Sequence, residues 1–153
     1  MGGYGSHFYG GEDTFLCLKI IKKGLRIVYD PKVVVYHHRR EFLIPYLKQI
    51  ANIGKHRGYF AKKYPETSMY LWYFIPALAA VGFLALFVGS FIYSSVATLF
   101  IAGLTLSLTV SFLSVIRHSS IIMAFLASVG IVSTHLVYGL MFIKGLSTRN
   151  LHR

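Results

Sequence analysis

From Thr67 to Ile116 the chain carries no Asp, Glu, Lys or Arg. Fifty uncharged positions, at about 1.5 Å per residue, make roughly 75 Å of helix, enough for two crossings of a hydrocarbon core about 30 Å thick. The pattern predicts a first span near 71–92 and a second near 96–116, with Tyr93-Ser94-Ser95 as the turn between them. Beyond Arg117 and His118 another uncharged run reaches Ile143 and predicts a third span near 120–142. Tyr70, Trp72 and Tyr73 at the near end match an interfacial aromatic belt. Small residues, among them Ala79, Gly82, Gly103 and Gly130, recur where close helix packing needs them. His135 falls inside the third span, where an ionisable group is either a hydrogen-bonded packing residue or a functional one.

Charge is confined to the other end. All five acids and twelve of the sixteen Lys and Arg lie in the first 66 residues. The chain therefore divides into a charged head, 1–66, and a transmembrane helical domain, 67–153. The positive-inside rule puts the head in the cytoplasm, on the plasma membrane. Arg117, between spans two and three, then also lies inside. Lys144, Arg149 and Arg153 fall outside if all three spans cross, and return inside if the third dips in and comes back. The net charge of +11 suits anionic lipid and, near His37, a phosphate-bearing ligand. Nucleic acid is excluded as a partner, because no basic run is interleaved with aromatics on one repeating surface. The single cysteine, Cys17, rules out an internal disulfide and, among Phe15, Leu16 and Leu18, reads as a buried thiol. Met1 is followed by glycines and aromatics rather than by a secretory leader, and Gly2 to Gly11 reads as a loop of a domain entered partway through.

Within the head, Glu12 to Lys23 predicts a helix with acids in its first turn, lysines in its last and Gly24 as its stop. Leu25 to Tyr29 is β-prone, Asp30-Pro31 turns the chain, and Val33 to Tyr36 predicts a strand covered on both faces. That strand ends in His37-His38-Arg39-Arg40. Glu41 to Tyr64 predicts a long amphipathic helix. Lys48, Lys55 and Lys62 lie on one face, and Phe42, Tyr46, Ile50, Ile53, Phe60 and Tyr64 on the other. Such a helix lies in the membrane interface or packs on a core. Arg57 interrupts the apolar stripe, and a buried guanidinium needs an anion, so it is a candidate ligand contact.

Taken in order, Phe8-Tyr9-Gly10-Gly11-Glu12-Asp13, Ile27-Val28-Tyr29-Asp30-Pro31, Val35-Tyr36-His37-His38-Arg39-Arg40 and His56-Arg57-Gly58-Tyr59-Phe60 resemble the C-terminal half of membrane-bound family 2 glycosyltransferases. The resemblance covers roughly residues 2 to 70. It implies an α/β head that is part of a GT-A-type fold (helix, short strands, interfacial helix), followed by about three transmembrane helices. It also implies inverting transfer of a sugar from a nucleotide-diphosphate donor to a lipid-linked or cell-envelope glycan acceptor. Asp13 would be the catalytic base and Glu12 would orient the acceptor. His37 would sit at a divalent metal, Mg or Mn, and Arg40 and Arg57 would hold the diphosphate. The family's Asp-x-Asp metal motif is absent, since Asp13 and Asp30 are the only aspartates, so a separate chain would carry the donor-binding half. Gln49, followed three residues on by Asn52, departs from the family's membrane-proximal motif. The alternative function is a non-enzymatic membrane scaffold or subunit that anchors or regulates a partner. Taken singly, the acid pair is also what helix capping asks for, and a histidine pair at a strand end is also a structural feature.

Overall fold

A computed structural model describes residues 11–38 and 41–151. Six helices follow one another: α1 (Glu12–Lys22), α2 (Ile44–Lys63), α3 (Pro65–Ser68), α4 (Leu71–Gly89), α5 (Ser94–Ile116) and α6 (Ile121–Ser147). Helices α4, α5 and α6 are each long and apolar enough to cross a membrane. They are apolar all round and bury little against protein; α5 has no buried residue at all. Leu, Ile and Phe side chains left open on every side of a helix need lipid around them, which makes this an integral membrane protein.

Local chemistry sets the helix ends. Pro45 opens α2, where its missing N–H costs nothing. Lys62 and Lys63 in the last turn of α2 meet the negative end of its dipole. At the α4–α5 turn the Ser90 hydroxyl donates to the Phe87 carbonyl at 2.6 Å, and Phe83 and Phe87 both meet the Phe100 ring. Ser120 caps α6 by accepting the Met123 N–H at 3.4 Å.

The packing centre is α6. Helix α2 lies along it with backbone nearly touching backbone. A Cβ at Gly54 would come 2.6 Å from the Tyr138 carbonyl oxygen, one at Gly58 would overlap the Phe142 carbonyl, and one at Gly145 would overlap that of Lys55. On the other side α4 approaches α6 just as closely, with Gly139 against the Pro76 carbonyl and the Phe74 and Phe142 rings edge to face at 4.9 Å. Ala61, Ala77 and Phe142 form the buried centre, flanked by Tyr73, Phe74, Tyr138 and Leu146. The Lys62 ammonium donates to the Leu146 carbonyl at 2.8 Å and to that of Thr148, capping the C-terminal end of α6 from α2.

The α/β head is overturned: among the described residues there is no strand. Leu25 to Tyr29 and Val33 to Tyr36 have no regular secondary structure. The preference of β-branched residues for strands is a preference for a pleated surface with neighbours on it, and among the described residues no neighbouring strand exists. Nothing like a GT-A sheet forms among them. Helix α1, deprived of a sheet to lie on, buries no residue. Cys17, expected in a core, is exposed for the same reason. Helix α2 packs only partly by its expected aromatic stripe: Phe60 is buried, but Gly54, Gly58, Tyr59 and Ala61 are buried with it and Ile53 is left open.

Candidate functional site

Where the first turn of α1 meets the middle of α2, a pocket of about 180 Å³ opens. Gly11 makes the meeting possible. Its φ of 93° is left-handed, and a Cβ there would sit 3.0 Å from the Phe60 ring, so a side chain would both strain the backbone and push the helices apart. Two contacts hold α1 in place farther along. The Phe15 ring lies 5.0 Å from that of Tyr64, and the Lys22 ammonium is 2.5 Å from a Glu66 carboxylate oxygen.

Asp13, His56 and Arg57 line the pocket, with Thr14, Ile53 and Phe60 completing its wall. Asp13 is exposed, and its Oδ1 accepts the Thr14 N–H at 2.7 Å. The Nδ1 of His56 is 2.8 Å from the Asn52 carbonyl. A carbonyl can only accept, so that nitrogen carries a proton, and whenever the ring is neutral its lone pair is on Nε2. Arg57 is half-buried. Its guanidinium lies 4.6 Å from the centroid of the Tyr73 ring, and Nη1 donates to the Ser68 hydroxyl at 3.4 Å. Among the described residues no carboxylate pairs with it. A carboxylate, an imidazole with a fixed tautomer and a cation without a counter-ion thus surround one small space. That set can take a proton from a hydroxyl and can bind an anion beside it.

The residues singled out from sequence part company here. Asp13 and Arg57 share the pocket. Glu12 is adjacent to it but not on its wall. His37 is exposed and does not line the pocket, and Arg40 lies outside the described residues. Among the described residues no three His, Cys, Asp or Glu side chains converge as metal ligands. His56 was not singled out. Its signal was positional: four residues after Asn52 and four before Phe60, on the face of α2 that Arg57 borders. A second cavity, about 430 Å³, lies between α4, α5 and α6 with apolar walls, and His135, Ser107 and Ser111 border it. Ser107 is already committed, donating to the Gly103 carbonyl at 2.8 Å. Comparison with protein-family models, with characterised proteins and with solved structures finds no match for this chain.

Proposed function

We propose that the chain is the acceptor-side, membrane-held part of an inverting sugar transferase. The donor is a nucleotide-diphosphate sugar presented by a separate chain, and the acceptor is lipid-linked or part of the cell envelope. One observation supports this most: a single pocket is shared by the carboxylate and the guanidinium that sequence order assigns separately to base and diphosphate contact. Its position adds to the case. Arg57 stacks on Tyr73, in the first turn of α4 and beside Tyr70 and Trp72, where a lipid-linked hydroxyl would arrive at the membrane surface.

Asp13 accepts the proton of the acceptor hydroxyl as its oxygen attacks the anomeric carbon. The bond from that carbon to the diphosphate oxygen breaks, and the diphosphate leaves with the electron pair. The guanidinium of Arg57 meets the growing charge with paired N–H donors.

The test uses native membranes, which hold the donor-binding chain together with this one, and a panel of radiolabelled nucleotide-diphosphate sugars, with label counted in the lipid extract and in envelope polymer. Asp13→Asn is expected to lower incorporation by about a hundredfold or more, the usual worth of a positioned base. Undiminished incorporation in that variant, or none in the unaltered chain with any donor, overturns the reading. A non-enzymatic scaffold is the second reading, favoured by the exposed apolar side chains of Ile27 to Tyr29 and Val33 to Tyr36. In that case a partner's activity depends on α4 to α6 and is indifferent to Asp13 and Arg57.

A further inference from the structure

From Leu25 to His38 every residue is exposed, and the chain turns at Pro31-Lys32. The Asp30 carbonyl accepts the Val33 N–H at 3.1 Å, and the Asp30 carboxylate accepts the Lys32 N–H at 2.9 Å. That closes a turn at Asp30-Pro31-Lys32. The arm that follows has no regular secondary structure, and among the described residues the backbone N–H and C=O groups of Val34, Val35 and Tyr36 have no partner. Its side chains are bare as well: Val35 is 84% exposed and Tyr36 96%. Three successive β-branched residues and a tyrosine, open on both faces and on both backbone edges, are costly to leave in water.

The unpaired backbone says what covers this arm. A bilayer could take the side chains, but in hydrocarbon each free N–H and C=O costs several kcal/mol, so lipid does not satisfy it. A helix offers no backbone partners. A strand offers both backbone pairing and a pleated surface for valines. Charge then selects the strand's owner. In sequence Lys23, Arg26, Lys32, Arg39 and Arg40 flank the arm against two acids, Asp30 and Glu41, on a chain whose net charge is +11. A second copy would bring the same cations opposite, and like charges facing each other across a strand pair repel. We propose that Val33 to Tyr36 adds a strand to the free edge of a β-sheet in a different protein, one whose edge strand is flanked by acidic side chains. The inference stands apart from the transfer chemistry, because it concerns backbone pairing and not the pocket.

Hydrogen exchange tests it on the full chain in nanodiscs of mixed neutral and anionic phospholipid. The probe is a synthetic peptide of alternating Val and Thr with two Glu at each end. Amides of 34–36 are expected to exchange freely without the probe and at least tenfold more slowly with it. Protection should vanish with a Lys-flanked peptide and with one N-methylated along its pairing edge. Val35→Pro should abolish it too, with helix content by circular dichroism unchanged. Unchanged exchange in the presence of the acidic peptide overturns the proposal. So does protection by the N-methylated peptide, which would mean contact without strand pairing. Protection in nanodiscs alone would show that lipid covers the arm, and protection that grows with chain concentration would assign it to a second copy; either overturns the proposal.

Discussion

Arg57 is the residue whose surroundings are least complete. Its plane lies over the Tyr73 ring, one nitrogen reaches Ser68, and no carboxylate answers its charge among the described residues. Stacking on a phenol is worth about 0.5–1 kcal/mol at such a site, which orients the guanidinium without neutralising it. Lysine keeps the charge but loses the planar fork. Arg57→Lys should therefore weaken pyrophosphate binding at least tenfold by calorimetry while leaving thermal stability near that of the unaltered chain; equal affinity would remove Arg57 from the site. Glu66 gives a prediction in pH. The Lys22 ammonium that donates to it, together with a backbone hydrogen bond, holds its carboxyl below the usual carboxylate range. A carboxyl depressed by folding supports the fold above its unfolded pKa, about 4.3 for glutamate. That support is lost as pH falls through the lower folded value. Protection of α1 amides, corrected for intrinsic exchange, should thus decline on acidification below the ordinary glutamate range. Glu66→Gln should flatten the decline. The pair is fully exposed, so the change is expected to be small and confined to α1.

Helices here are joined by glycine more than by large side chains. Gly58→Ala would drive a methyl into the Phe142 carbonyl, and Gly54→Ala would press one on that of Tyr138. Neither neighbour is a side chain that can swing away, so α2 must lift off α6, and overpacking of this sort costs about 1–3 kcal/mol. Gly82→Ala is the control: nothing lies within 4 Å of its Cβ, and alanine is the better helix former. Unfolding followed in detergent should show a lower midpoint for Gly58→Ala and an equal or higher one for Gly82→Ala. The same comparison shows what could be read from sequence. Long apolar helices were legible because exclusion of charge from lipid is a one-dimensional rule, visible in any stretch such as Thr67 to Ile116. The Gly54 and Gly58 seam was not read, since an aromatic stripe at helical spacing drew attention to the other face. Val33 to Tyr36 was misread as a covered strand because local preference says nothing about whether a second strand is present. Asp13 and Arg57 could be named from the order of motifs, but bringing His56 in beside them depends on how α1 docks on α2, a tertiary fact with no local signature.

Across the whole molecule, the beginning of α4 and the end of α6 are in contact. Phe74 meets Phe142, Pro76 meets Gly139, and Lys62 caps the carbonyls of Leu146 and Thr148. Three complete crossings would leave those two ends on opposite faces of a core about 30 Å thick. One helix therefore does not complete its passage, and α6 is the one with a reason not to. From Gly130 onward its flank is occupied by α2: Phe42 reaches Gly130 and Thr134 donates to the Tyr46 hydroxyl, and farther along Tyr138 and Phe142 abut Gly54 and Gly58. Lys48, Lys55 and Lys62 ride on α2, and ammonium groups do not follow a partner helix into hydrocarbon. If α4 and α5 cross while α6, one unbroken helix, lies along the bilayer surface beside α2, then Arg117, Lys144 and Arg149 all join the basic head on one face, as the positive-inside rule asks. Single-cysteine labelling decides the matter. With Cys17 replaced by serine, Lys23→Cys and Arg149→Cys, both at exposed positions, should react with a membrane-impermeant maleimide from the same side of sealed vesicles. In right-side-out vesicles neither should react before permeabilisation if that side is the cytoplasm. Labelling of the two positions from opposite sides would show that α6 crosses fully, and would require α2 to leave its flank when the chain enters the bilayer.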